Sequence, residues 1–238
     1  MDQKIKEIRE FFRTHANQAN VEKYSRYFKE GEYDGYGIDS KIYEIQRDLW
    51  IEKWSAEMSL DDFLTLGDRL IPGGKYEEVS LAIALVAAQK AHFSKSVFDR
   101  IGHWFTLGIT NWANTDVLCM LVLPSFFTRG ILQLTDLKAW ITAESEWQRR
   151  SVPVTLIELV KSGLKPVEAF SLIEPLMTDA SEYVQKGLGT LLRSLWKKSP
   201  QEVEAFLFKW KDRCGRLIIQ YATEKMDKEY RKQFRRAK

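Results

Sequence analysis

The sequence predicts an all-α protein whose helices stack in pairs and wind into an α-α superhelix. Three observations carry this expectation. Capped helix starts recur along the chain, apolar residues fall every three or four positions between them, and no convincing run of alternating strand residues occurs.

The elements follow in chain order. Ser59-Leu60-Asp61-Asp62 reads loosely as a capping box, and Phe63, Leu66 and Leu70 follow at helical spacing. Pro72-Gly73-Gly74 then breaks the pattern. From about Glu77 to Lys90 the helix is apolar nearly all round, which places it inside a stack. Gly130 and Ser162-Gly163 punctuate the next segments, and Val152, Leu156 and Leu159 lie on one helical face. Ser145-Glu146-Trp147-Gln148 and Asp179-Ala180-Ser181-Glu182 repeat the capping-box logic. Lys198-Ser199-Pro200 marks another break, and Ser199-Pro200-Gln201-Glu202 combines a serine cap, proline at the first helical position and a glutamate two residues on.

At 238 residues, 29% charged and 45% hydrophobic, the chain suits one soluble globular domain over 1–238 or one repeat array. The first ten residues, Met1 to Glu10, are charged throughout and carry no apolar signal region. The apolar runs Leu81 to Ala88 and Val117 to Phe127 are too short to span a bilayer, and the second contains Pro124. The expectation is a cytoplasmic protein with no membrane partner. Cys119 and Cys214 show no paired spacing and read as reduced packing residues. The net charge of +3 hides a polarity: residues 209–238 hold eleven lysines and arginines against four acids, a balance of +7 that leaves −4 on the remainder. Such a basic end suits phosphate, or is a solvated terminus.

Aligning the helices by their starts puts Leu81, Asp116, Arg150 and Lys186 at corresponding places, with separations of 35, 34 and 36 residues. Two helices per unit at that period are the mark of a HEAT-like or ARM-like solenoid, whose second helices line a concave surface. Asp116, Arg150 and Lys186 emerge there from apolar helices, either as a polar constellation or as helix-end charges in solvent.

Four segments, in order, then resemble the AlkD-like HEAT-repeat DNA glycosylases of the DNA alkylation repair superfamily. Tyr33-Asp34-Gly35-Tyr36-Gly37-Ile38 is similar to the family's aromatic-Gly-Ile turn. Trp112-Ala113-Asn114-Thr115-Asp116 matches Trp-x-x-x-Asp, and Trp147-Gln148-Arg149-Arg150 matches Trp-x-x-Arg. Gln185-Lys186-Gly187-Leu188-Gly189-Thr190-Leu191-Leu192-Arg193 is similar to a Gln-Lys-Ala-x-Gly-Trp-x-Leu-Arg signature. The resemblance covers most of the chain.

The resemblance implies a concave DNA-binding groove and a glycosylase chemistry. An N3- or N7-alkylated purine is a cationic leaving group, so the sugar gains positive charge as the bond breaks. A carboxylate at Asp116 would stabilise that charge and orient water. Trp112 would set its ring against the sugar, and Arg150 would hold a phosphate. Read without the resemblance, Trp112 is equally a buried anchor between helices, and Asp116 a charge complementing a helix N-terminus. The family's second aromatic wall is replaced by Thr190, which cannot stack; stacking is worth roughly 1 to 3 kcal/mol. Pro153, just after Arg150, should kink its helix and re-aim that side chain.

His15, His92 and His103 show no metal-ligand spacing, so no metal and no cofactor are expected, and no phosphate-cradling glycine motif occurs. Leu70-Ile71-Pro72-Gly73-Gly74-Lys75 reads as an ordinary turn. Three functions remain open. The first is a monomeric DNA-binding repair protein with weak or no excision, like the AlkF and AlkG branches, holding duplex, damaged or branched DNA through Arg149, Arg150, Lys186, Thr190, Arg193 and the basic C-terminal helices. The second is an active alkylpurine glycosylase using Asp116 and Trp112. The third is a HEAT-like scaffold for protein partners.

Overall fold

The computed structural model describes residues 1 to 236; Ala237 and Lys238, the latter counted in the basic end, lie outside them. Among the described residues the regular elements are all helical, as expected. Two compact units divide the chain, one ending at Ser125 and the other starting at Phe126.

The first unit contains α1 (Asp2–Thr14), α2 (Gln18–Ser25), α3 (Ser40–Ser55), α4 (Leu60–Leu70), α5 (Tyr76–Ala87), α6 (Lys95–Leu107) and α7 (Trp112–Leu121). Amphipathic α1 buries Ile5, Ile8 and Phe12, three and four residues apart, so one stripe faces inward. Trp50 and Trp54 of α3, one turn apart, stack at 5.3 Å in the same core. The Trp50 indole N–H donates to Glu7 Oε1 at 2.8 Å, which removes the cost of burying it. At α4 the loosely read box is complete: the Ser59 hydroxyl accepts from Asp62 N–H while the Asp62 carboxylate accepts from Ser59 N–H. The break at Pro72 is a 3-10 turn, Ile71–Gly73, leading into α5, which packs against α4 and α7. Central α5 is apolar on most sides, yet it opens with two buried carboxylates, Glu77 and Glu78.

After α8 (Pro124–Thr128), the second unit contains α9 (Lys138–Ile141), α10 (Glu146–Lys161), α11 (Pro166–Ile173), α12 (Glu182–Trp196), α13 (Pro200–Trp210) and α14 (Arg216–Ala222). Its densest packing joins α12 to α10 and to α14. Gly187 explains the first pairing: a Cβ there would stand 3.3 Å from Pro153 Cγ, so the bare backbone admits the proline ring. Pro153 lies inside α10, which continues as one helix to Lys161.

Two capping assignments change. Ser181, not Asp179, caps α12, its hydroxyl accepting from Tyr183 and Val184 N–H. The Asp179 carboxylate instead binds Ser181 N–H and Arg149. At α13, Pro200 does occupy the first turn, but the Ser199 side chain makes no capping bond. Cys119 and Cys214 are both buried and neither is in a disulfide, and burial raises the Cys214 thiol pKa. Among the described residues no helix is long and apolar enough to cross a membrane.

Candidate functional site

The start of α7 is locked by its own side chains. Asn111 caps the helix, its Oδ1 accepting from Asn114 N–H at 2.9 Å and its Nδ2 donating to Asn114 Oδ1 at 2.7 Å. Asn114, fully buried, donates in turn to Ser80 Oγ at 2.9 Å and to the Tyr76 carbonyl at 3.3 Å, both on α5. Every polar atom of this pair of amides that is buried thus finds work, and α7 is fixed in rotation on α5. The half-buried Trp112 stacks on Phe28, centroids 5.3 Å apart and planes 28° apart, and its Nε1 donates to the Tyr27 carbonyl at 3.3 Å. Asp116 sits one turn further along α7, half-buried.

Trp112 borders a cleft of about 650 Å³ within the first unit. Tyr24, Phe28, Tyr33, Tyr43 and Tyr76 supply most of its aromatic wall, and Asp116 is not among its lining side chains. The hydroxyls of Tyr33 and Tyr43 are buried and have no hydrogen-bond partner among the described residues. Burial raises both pKa values, so both stay neutral donors at ordinary pH. Flat aromatic walls of this kind suit a planar guest.

The turn Tyr33 to Ile38 shapes the floor. Glu77 accepts three successive backbone N–H groups: Tyr36 on Oε2 at 2.9 Å, and Gly37 and Ile38 on Oε1 at 2.8 and 3.2 Å. Gly37 sits at φ +69°, and a Cβ there would lie 2.4 Å from the Asn17 carbonyl oxygen, so only glycine fits. Glu78 beside it binds Arg9 and the Tyr36 hydroxyl, the latter at 2.8 Å.

In the second unit the Trp147 ring is buried against Tyr183, centroids 4.5 Å apart. Arg149 spends its guanidinium inside the protein: Nε and Nη2 on the Asp179 carboxylate at 2.6 and 3.3 Å, and Nη1 on the Ala143 and Glu144 carbonyls at 2.8 Å. Buried Arg150 donates from Nη1 to the Tyr183 carbonyl at 2.6 Å. Lys186 lies over the Tyr183 ring at 5.3 Å and near Glu182 at 3.7 Å. The Thr190 hydroxyl donates to the Lys186 carbonyl of its own helix at 2.9 Å, and Arg193 pairs with Glu224.

The caps also refine the repeat. N-caps at Lys75, Asn111, Ser145, Ser181 and Gly215 are 36, 34, 36 and 34 residues apart, and the fifth residue after each is Ser80, Asp116, Arg150, Lys186 and Gln220. Ser80 therefore replaces Leu81, which is fully buried. The aromatic cleft escaped the sequence reading, although six aromatics between Tyr24 and Tyr43 were its visible sign.

A family model described as DNA alkylation repair enzyme matches residues 8–226. No curated relative matches the chain. Among solved structures, a protein of Enterococcus faecalis described as a predicted DNA alkylation repair enzyme superposes with a TM-score of 0.77 at 18% identity, covering 90% of this chain and 98% of that one. AlkD2 of Streptococcus mutans gives 0.59 at 20% identity over 76% of this chain and 89% of its own. The protein smu.31 of Streptococcus mutans UA159 gives 0.60 at 20% identity over 79% and 94%. These likenesses show the fold to be that of AlkD-type helical-repeat proteins. With the family model spanning most of its length, the chain belongs to the DNA alkylation repair enzyme family.

Proposed function

We propose that this protein is a cytoplasmic, monomeric DNA-binding member of its family that holds damaged or branched duplex in a concave groove, with weak or no base excision, and that it uses no metal or cofactor. The observation that carries the reading is Thr190: where the resemblance expects an aromatic wall, a hydroxyl turns back onto the Lys186 carbonyl and offers nothing to stack on. Losing such stacking removes roughly 1 to 3 kcal/mol of hold on a base or sugar, which is about one to two powers of ten in rate. Arg150 points the same way, since a side chain buried on the Tyr183 carbonyl is tied into the scaffold before any phosphate arrives. Lys186 and Arg193, both less buried than Arg150, are better placed to meet the backbone, and Arg149, held by Asp179, acts as an anchor.

A second reading has its own support. Trp112 and Asp116 lie one turn apart on a helix whose start is fixed by the Asn111–Asn114 pair, so an alkylpurine glycosylase would have its carboxylate held in position.

Two measurements separate these readings. Anisotropy of labelled duplex and four-way junction should show binding that falls steeply with salt, as released counterions require; salt-independent or absent binding would favour a protein scaffold. Incubation with DNA containing 7-methylguanine and 3-methyladenine should release no base above background. Release by wild type that Asp116→Asn abolishes would establish the glycosylase instead.

A further inference from the structure

A second hollow, of about 580 Å³, lies at the C-terminal end of the second unit. Among the described residues five cations line it, Lys211, Arg216, Arg231, Arg235 and Arg236, and no carboxylate does. The contrast with neighbouring cations is sharp: Lys209 pairs with Glu174, Arg193 with Glu224 and Lys232 with Glu229. Among the described residues Arg216, Arg231 and Arg235 make no ion pair. Like charges gathered without acids repel one another, so their assembly costs stability unless an anion joins them.

The hollow is built in advance. Its outer wall is the 3-10 turn Tyr230–Phe234, pinned by a fully buried Phe234 that stacks on Phe208 at 4.7 Å. The Tyr230 hydroxyl donates to Glu204 Oε2 at 2.7 Å, Lys211 Nζ to the Gln233 carbonyl at 3.0 Å and Arg236 Nη2 to the Cys214 carbonyl at 2.8 Å. These bonds hold the turn against α13 and the start of α14, so less ordering is left to be done on binding. The inner wall carries Gln220 on α14 and Thr223 just beyond its end, neutral hydrogen-bonding groups. Three of the five cations, Arg231, Arg235 and Arg236, lie past residue 226, where the family match ends.

We infer that this hollow is a phosphate site that clamps the backbone of bound DNA, with three of its five cations supplied from past the end of the family match. The inference rests on the DNA-binding reading and specifies which part of the basic end makes contact. Arginine forks suit phosphate oxygens in two-pronged contacts, and each neutralised duplex phosphate steepens the salt dependence by about 0.9 in log-log slope.

The test compares salt titrations of duplex binding for wild type, for Arg231→Gln with Arg235→Gln, and for a control pair on α3, Lys41→Gln with Lys53→Gln. Both arginine side chains are exposed, and thermal melts check that the variants fold. The arginine pair should lower the slope by about 2 and weaken low-salt affinity at least tenfold, while the control keeps its slope. An unchanged slope in the arginine pair, with wild type still binding, overturns the clamp and leaves the DNA reading standing. Wild type that binds no DNA overturns both. Tripolyphosphate bound by wild type and lost in the arginine pair, without DNA binding, assigns the hollow to a free phosphate ligand and likewise overturns the clamp.

Discussion

Arg149 meets Asp179 through two prongs, Nε on one carboxylate oxygen and Nη2 on the other, while its third nitrogen holds the two carbonyls just before α10. A residue so occupied ties the start of α10 to the segment that leads into α12. Arg149→Ala should cost about 2 to 3 kcal/mol, less than a fully buried pair because the arginine is partly exposed. Urea unfolding would measure the loss. DNA affinity of the folded fraction should stay within about twofold of wild type, and a larger drop would return Arg149 to the DNA-contacting set.

The turn at Gly37 should be as demanding as its geometry. Gly37→Ala forces a left-handed alanine and drives its Cβ against the Asn17 carbonyl, for a loss of at least about 2 kcal/mol. Glu77→Ala should cost about 3 kcal/mol or more, since three backbone N–H groups lose their acceptor. Glu77→Gln keeps an oxygen and should fall between wild type and alanine in the same denaturant titration.

Placing an aromatic at Thr190, where the resemblance expects one, tests the reading of excision. Thr190→Trp should bring release of 7-methylguanine clearly above the wild-type background, a gain of about one to two powers of ten in rate, because stacking contributes roughly 1 to 3 kcal/mol. Release that stays at background in a folded Thr190→Trp protein would mean that the missing ring is not what limits the chemistry.

The tyrosines in and beside the cleft set an alkaline limit. Burial raises Tyr33, Tyr43 and Tyr76, and for Tyr36 burial and then its bond to Glu78 do the same, all from an ordinary value of 10.0. A raised folded-state pKa means that the native state holds protons the unfolded chain would release. Their contribution is therefore complete below about pH 10 and is lost as pH climbs toward the raised values. Melting temperature should be insensitive to these groups from pH 8 to 9.5 and fall above 10. Absorbance at 295 nm should show a tyrosine fraction that ionises only as the protein unfolds.

Local signals made most helix starts legible. Asn111, Ser145 and Ser181 each accept from a first-turn N–H, as short polar side chains before an apolar run do. Lys75 and Gly215 cap with no side-chain bond, and where that signal is missing before α5 the alignment put Leu81 where Ser80 belongs. Asp179 looked like a cap because its spacing was right; a partner 30 residues away claimed its carboxylate. The cleft was illegible for the same kind of reason. Its aromatics come from separate segments, Tyr24 to Phe28, Tyr33, Tyr43, Tyr76 and Trp112, and the turn that Glu77 gathers about 40 residues upstream is not marked by any local period. Trp112 and Asp116 could be nominated from motif spacing, but the Phe28 ring against Trp112 could not.

That gathered turn also has a temporal side. The amides of Tyr36, Gly37 and Ile38 belong to an irregular segment, where hydrogen exchange is ordinarily fast. Their acceptor stands at the head of α5, the most enclosed helix of its unit, so their exchange should follow the rare openings of that helix. In pulse-labelling during refolding, protection of these three amides should therefore appear no earlier than that of α5, and the aromatic cleft should close with them.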